Sequence, residues 1–421
     1  MNLAFLLHIY QPSNQSDRIV KDISESSYIP LIKLIKKTLN LNITLNIPLS
    51  LSHKLHENKI DSVISDIRNL SESGKVELTS TGAYHPILSK IPANLVEKEI
   101  LLNEFGLGYY YGKRKGFEGE DAIMLKNVCG FFPPEMSINM ELLSHLDSLG
   151  YRWVAIDRNS LELPDSSLKN IVLGFENLDI QAVVRNTELS NILSFKRNMD
   201  VDDFIDVVLS LRQDGKDALV ALDGEMFGHH YSEGLILLES LLAKLTSLEI
   251  NLTTVSELVE RSNVSQNTKL VDSSWGASKE ELEEGNMYPL WDAPGNALHK
   301  ELWELLFEIA SVETGSYKNN NDPLEHGLVL ETLPLWDTEK LDEIKDVVLK
   351  NEIYKEILQL QCMNSDQFWW ASKHAVGGDA MYSPEYIRNA LDLYKKFSMI
   401  SENSDLMTFV QKKIEKIETL L

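Results

Sequence analysis

The chain has 421 residues, of which 43% are hydrophobic and 25% charged, enough apolar content for a large core and one to three domains. Its formal net charge of −24 argues against nucleic acid and anionic membranes as partners, while a neutral glycan is compatible with it. No apolar run approaches the ~20 residues of a membrane span. The start, MNLAFLLHIYQP, lacks a basic leader and a small-residue cleavage site, so it reads as a first strand rather than a signal peptide. Cys129 and Cys362 lie outside any metal-ligand spacing and read as reduced thiols. A cytoplasmic protein is expected, and its oligomeric state is not legible.

In chain order, short apolar runs predict strands at 3–9, 43–47, 76–80, 128–132, 153–156, 180–184, 218–222 and 251–254. Helical periodicity intervenes at 29–39, 95–105, 138–149, 201–211 and 234–245. Gly150 stands where a helix end needs a left-handed residue. Repeated strand–helix units predict a parallel sheet covered by helices, and seven or eight of them suggest closure into a barrel. Chemistry in such a barrel sits on loops after the strands. The stretch 261–268, rich in Ser and Asn, reads as a linker. Beyond it, 297–311, 338–360, 384–397 and 405–421 have helical periodicity. The expected organisation is a barrel at 1–262, a connecting segment at 263–290 and a helical domain at 291–421 that contributes to the cleft. Six of the seven tryptophans follow residue 270, among them the adjacent pair Trp369 and Trp370, which cannot both point the same way on one helix.

Polar clusters stand at the predicted strand ends. The first is His8-Ile9-Tyr10-Gln11-Pro12, where His8 and Gln11 would face substrate; a satisfied structural histidine is the alternative. The second is Gly82-Ala83-Tyr84-His85-Pro86, in which Pro86 disfavours helix at His85. The third sets Glu135 after Pro133-Pro134, which stiffen the loop that carries the carboxylate. The fourth follows the run Ala218 to Leu222 with Asp223, Gly224, Glu225, His229 and His230. Two carboxylates from two strand ends suit glycosidic bond cleavage. His8, His85, Asp223 and His229 are also a conceivable metal set, although no HExxH-type spacing is present. The fifth, Ser365-Asp366-Gln367-Phe368-Trp369-Trp370, places an acid beside aromatics, as sugar recognition needs; a capped helix start with buried rings is the alternative.

Together HIYQP, GAYHPIL, GFFPPEM, ALDGEMFGHH and SDQFWW resemble the five motifs of glycoside hydrolase family 57, in the right order over residues 8 to 370. The run from Ser273-Ser274-Trp275 to Trp291 is also similar to family sequence. The resemblance implies a distorted (β/α)7 barrel with a C-terminal helical domain. It implies a retaining α-glycosidase on α-1,4-glucans, hydrolysing or transferring, without metal or other cofactor. Glu135 takes the part of nucleophile and Asp223 that of general acid/base. His8, Gln11, Tyr84, His85, Glu225, His229, Trp275, Asp366, Trp369 and Trp370 take substrate-binding places. Asp223 is expected to have a raised pKa through desolvation or through nearby negative charge, for which Glu225, two residues away, is the candidate source. Two departures stand out: Tyr10 where the family more often carries a histidine, and Phe132-Pro133 where it more often carries Trp-Leu. A metal-dependent deacetylase-like enzyme and a non-catalytic glucan-binding protein are the competing readings.

Overall fold

The structure, a computed structural model, describes residues 1–112, 128–162, 168, 170–196, 200–265, 269–314, 336–342, 344–372, 375–376 and 379–421. Its strands are β1 (Asn2–His8), β2 (Ile43–Asn46), β3 (Val76–Thr79), β4 (Gly130–Phe131), β5 (Trp153–Ile156), β6 (Val172–Leu173), β7 (Gln181–Val184), β8 (Ala218–Asp223), β9 (Asn251–Thr253), β10 (Val264–Ser265), β11 (Ala375–Val376) and β12 (Asp379–Ala380). One sheet runs β3-β2-β1-β8, with β9 also on β1; a second runs β10-β6-β7-β5-β4. Single parallel bridges join their edges, Ser80 to Phe131 and Arg185 to Leu219. Pairing therefore passes in a cycle through seven parallel strands, β1-β2-β3-β4-β5-β7-β8, and back to β1.

All eight predicted strands are present, shifted by a residue or two at their ends. β6 and β10 were not legible, being two residues each; β6 runs antiparallel to β7, outside the cycle. Helices Ile29–Lys37, Ala93–Tyr111, Met140–Ser148, Val201–Gln213 and Gly234–Ser247 occupy the predicted places. Gly150 has φ +86° and its N–H returns to Asp147, closing the helix as its sequence position suggested.

The alternation of strand side chains separates two cores. Leu3, Phe5 and Leu7 of β1, with Ile43, Leu45, Val76, Leu78, Val220 and Leu222, belong to the layer shared with the outer helices. Ala4, Leu6, Trp153, Ala155, Val183, Leu219 and Ala221 fill the barrel interior. Val255 and Leu258, from the helix Val255–Arg261, pack into that same interior cluster. The same period carries the interior face to His8 on β1, Asn46 on β2, Thr79 on β3 and Asp223 on β8, the last residue of each strand. In register, Asp223 lies beside His8, His8 beside Asn46 and Asn46 beside Thr79. The strand ends thus form one polar layer above an apolar filling.

After β10 the described residues are mainly helical: Ala297–Ala310, Val347–Cys362, Pro384–Ile400 and Ser404–Leu420. The predicted helix at 338–360 is divided into Thr338–Leu341 and Val347–Cys362, the second capped by the Asp346 carboxylate on the N–H groups of Val348 and Leu349. The stretch 263–290 is tied to the barrel: β10 pairs with β6, Ser273 bridges Ile138, and the Trp275 N–H bonds the Glu135 carbonyl. Cys129 and Cys362 are free thiols. None of the described helices is long and apolar enough to cross a membrane.

Candidate active site

Glu135 follows β4 on a short turn, Pro134–Met136, in which it takes φ 57° and ψ 18° and Met136 takes φ 46°. His85, after β3, takes φ 61°. Left-handed backbone is unfavourable for residues with a Cβ, and it persists where surrounding contacts over-determine it. Here the two strained residues meet, with His85 Nδ1 3.8 Å from Glu135 Oε1. Trp275 Nε1 donates to Glu135 Oε2 at 2.9 Å, and the Ser365 hydroxyl lies 3.4 Å from Oε1. The segment 364–366 is held on the second loop by the Ser365 N–H on the His85 carbonyl, at 3.1 Å.

Asp223 is approached differently. No hydrogen bond reaches its carboxylate from the described residues, and Gly224 behind it packs where an added Cβ would lie 2.5 Å from Ile9 Cγ2. The exits of β1 and β8 are thereby pressed together. Burial lifts the Asp223 carboxyl to about 6, against a lowering by the Arg185 guanidinium. Arg185, at the end of β7, bonds Asp157 at 2.8 Å and the Ala221 carbonyl at 2.8 Å, and lies over the Trp275 ring. Glu135 is raised well above the usual carboxylate range by burial, then by the charges of Asp366 and Asp223; the Trp275 and Ser365 donors oppose the rise. Asp366 is lifted to about 7 by burial and by Asp223. Three carboxyls thus share one electrostatic environment, and ionisation of one holds protons on the others.

The histidines form a wall. Phe132, His8, His85 and Tyr10 follow one another as near-parallel rings, with neighbouring centroids 5.1, 4.9 and 4.0 Å apart. His8 Nδ1 meets Asn46 Oδ1 at 2.7 Å, and Asn46 Nδ2 donates to Thr79. That bond requires the proton on Nδ1, which leaves Nε2 as an acceptor. Burial pushes His8 down to about 4 and His85 well below its ordinary value, so both rings are neutral at pH 7.

Of the residues singled out in the sequence, His8, His85, Glu135, Asp223, Trp275 and Asp366 come together. Others are engaged elsewhere. Glu225 accepts the Tyr10 N–H at 2.9 Å and the Tyr28 hydroxyl at 2.5 Å, and its pKa is lifted to about 8 by burial and by Asp223. The rise at Asp223 comes from burial, the first of the two expected causes, while the repulsion within the Asp223 and Glu225 pair is felt at Glu225. Gln11 donates to Tyr28 and accepts from Gln15. Tyr84 is buried, with its N–H on Glu99. His229 is exposed beside His230. Trp370 is buried and stacks on Tyr386, while Trp369 stays partly open. The quartet weighed for a metal does not assemble; His85, Glu135 and Asp366 are the trio whose ligand atoms lie within 4.8 Å of one another among the described residues. Arg185 and Asn46 were not anticipated, and Ser365 was read only as part of the fifth cluster and a candidate helix cap. The available signal was a polar residue breaking the apolar pattern at a strand end, as Arg185 does after Val183-Val184.

The family model described as glycosyl hydrolase family 57 matches residues 6–270. An alpha-amylase of Pyrococcus abyssi is 25% identical over 234 residues, which cover 54% of this chain and 33% of that protein. A 4-alpha-glucanotransferase of Thermococcus litoralis is 24% identical over 159 residues, 37% of this chain and 22% of that protein. The matched stretches therefore span a third or less of these relatives. Among solved structures, a branching enzyme of Pyrococcus horikoshii superposes with a TM-score of 0.66 at 14% identity, covering 98% of this chain and 94% of that one. The Thermococcus litoralis 4-alpha-glucanotransferase structure gives a TM-score of 0.62 at 20% identity, over 94% of this chain and 58% of that one.

Proposed function

This chain belongs to glycosyl hydrolase family 57, and from that premise we propose that it is a retaining enzyme of α-1,4-glucans, hydrolysing or transferring glucan chains. The observation that carries the reading is the unlike setting of two neighbouring carboxyls. Glu135 receives donors on both oxygens, which oppose the rise that burial and the neighbouring acids impose on it; Asp223, lifted to about 6 by burial, receives no donor from the described residues, so a proton it takes up as substrate binds is not tied down by a hydrogen bond.

In the first step Glu135 attacks the anomeric carbon while Asp223 protonates the departing oxygen. Positive charge developing on the sugar offsets the repulsion that Glu135 feels from Asp366 and Asp223. In the second step Asp223 removes a proton from water or an acceptor sugar, which displaces Glu135 from carbon. The neutral rings of His8 and His85 are suited to sugar hydroxyls, and Trp275 fixes the attacking carboxylate. An α-glucan is the proposed partner. The barrel at 1–262, connecting segment at 263–290, helical domain at 291–421 and a cytoplasmic location belong to the same reading.

The test is product analysis on a panel of α-glucans and aryl α-glycosides, with Glu135→Gln as control. Hydrolysis raises reducing ends; transfer redistributes chain lengths without that rise. Glu135→Gln is expected to abolish either, and a near-normal rate in that variant overturns the assignment. A second reading rests on the His85, Glu135 and Asp366 trio, which has a metal-like donor set. Loss of activity on chelation, restored by a divalent cation, would favour it; the Trp275 and Ser365 donors already aimed at Glu135 speak against it.

A further inference from the structure

The second barrel loop holds His85 in a left-handed turn beside Glu135, and such backbone persists only where contacts over-determine it. After the turn the ties lead to the helical region: the His85 carbonyl accepts the Ser365 N–H at 3.1 Å, and His85 Nδ1 lies 3.0 Å from the Ser365 hydroxyl. Before the turn they lead to one residue, Glu99, on the helix Ala93–Tyr111. The Glu99 carbonyl accepts the Ala83 N–H at 3.1 Å, and Glu99 Oε2 accepts the Tyr84 N–H at 2.8 Å. Gly82 closes over the same oxygen: a Cβ added there would lie 3.6 Å from Glu99 Oε2 and 2.7 Å from Pro86 Cδ. One turn along the helix, Asn103 Oδ1 accepts the N–H of Leu49, at the start of the helix that follows β2, at 2.8 Å. One helix face therefore carries two acceptors, and each fastens the chain after one of two consecutive strands.

We propose that Glu99 is a positioning residue: its carboxyl clamps the loop 82–86 and so sets the His85 ring against Glu135. Glu99 is fully buried, and its Oε1 meets no hydrogen-bond partner among the described residues. Burying an acid in that way is costly, so the one bond its side chain makes, to Tyr84, has to offset the cost. The Tyr84 N–H is itself buried in an irregular turn with no ladder to pair it, and without Oε2 it would be orphaned. Relief of that orphan by rotation of the Tyr84–His85 peptide would turn the next residue. His85 is that residue, with its ring stacked between those of His8 and Tyr10 and its Nδ1 3.8 Å from Glu135 Oε1. Burial lifts Glu99 to about 8 against the Tyr84 and Ala83 N–H groups, so at pH 7 it is a neutral acceptor, which a glutamine amide can replace.

The part of Glu99 in catalysis rests on the glucan reading; the clamp does not, and the experiment separates them. In the full-length chain, Glu99→Gln keeps an acceptor for the Tyr84 N–H, Glu99→Leu removes it, and Asn103→Leu removes the neighbouring acceptor that serves Leu49. Exchange of the Tyr84 amide hydrogen should speed up about tenfold to a hundredfold in Glu99→Leu, as loss of one buried hydrogen bond implies, and stay near wild type in the other two. Nitrogen-15 spectra of histidine-labelled protein, with His85 assigned from His85→Asn, should show a displaced His85 signal in Glu99→Leu alone. On the substrate identified by the glucan panel, kcat per folded molecule should fall about tenfold in Glu99→Leu and stay within about threefold of wild type in the other two. Thermal unfolding is expected at lower temperature in both leucine variants, so lost stability alone would not separate them. An unmoved His85 signal in Glu99→Leu overturns the proposal. Equal displacement in Asn103→Leu overturns it as a general loosening, and equal displacement in Glu99→Gln overturns the acceptor role. A moved signal with unchanged kcat overturns the catalytic half. The wild type supplies a reading that needs no substitution: a Tyr84 amide that exchanges as fast as an exposed loop overturns the clamp even if Glu99→Leu fails to fold. A wild-type chain inactive on every glucan sinks the glycosidase reading, and the exchange and His85 spectra then decide the clamp by themselves.

Discussion

Two carboxyls of the barrel strands, Glu77 near the start of β3 and Asp223 at the end of β8, show what separates a structural acid from a reactive one. Both are lifted by burial. Glu77 is met by donors: the Thr44 hydroxyl at 2.7 Å, the Ser256 N–H at 3.2 Å and the Ser256 hydroxyl. Two of these donors belong to the first turn of the helix Val255–Arg261, where a carboxylate also complements the helix dipole. Among the described residues no donor reaches the Asp223 carboxylate, and the influence that opposes its rise is the charge of Arg185. The lesson is that a buried acid becomes available for proton transfer when its hydrogen bonds are withheld, and becomes a fastening when they are supplied.

Substitution breaks the comparison most sharply at Asp223. Asp223→Asn is expected to lower turnover by about 10²- to 10⁴-fold, the usual reach of a general acid/base. The variant should unfold no more readily than the wild type at pH 7, as read by urea titration. Glu77→Ala should behave in the opposite sense. It leaves several polar groups without their partner and is expected to cost about 2–4 kcal/mol of stability. The rate per folded molecule should stay close to normal; a collapse of kcat at full folding would place Glu77 in the chemistry and end the contrast.

Smaller effects sharpen the contrast. One concerns pH and stability. The folded-state pKa of Asp223, about 6, lies above its ordinary value of 3.8. Between those values the folded chain keeps a proton that the unfolded chain has released, so its contribution to stability falls as pH rises through that window. In Asp223→Asn that slope disappears, and the variant should gain about 2–3 kcal/mol on the wild type between pH 4 and pH 7. Parallel stability curves for the two proteins would mean that Asp223 is not desolvated. The smallest effect is at Trp275. Trp275→Phe removes one donor from Glu135, so kcat should drop about tenfold while the fold is kept. An unchanged kcat would show that the indole N–H does not fix the attacking oxygen.

Apolar runs broken by polar residues made the strand ends legible, as where Asp223 follows Ala218 to Leu222; that Leu219, Ala221 and Asp223 face the barrel interior was set by the structure. Glu135 was legible from its prolines and motif. The final uses of Glu225 and Trp370 were not, because each is decided by a partner far along the chain. Tyr28 binds Glu225 across 197 positions, and Tyr386 covers Trp370. Arg185 escaped notice for the same reason, since its counter-ion Asp157 is 28 positions away.

The amino-acid sequence by itself determined the strand–helix order and the acids placed at strand ends, because these follow from local periodicity and stiff turns. Only the tertiary structure decided which face of each apolar strand turns inward, which acids would be left bare and which would be tied down. Those outcomes depend on hydrogen-bond partners brought together by closure of the sheet and packing of the helical region against it, and a donor or acceptor remote in sequence is set by where the chain returns, not by its neighbours.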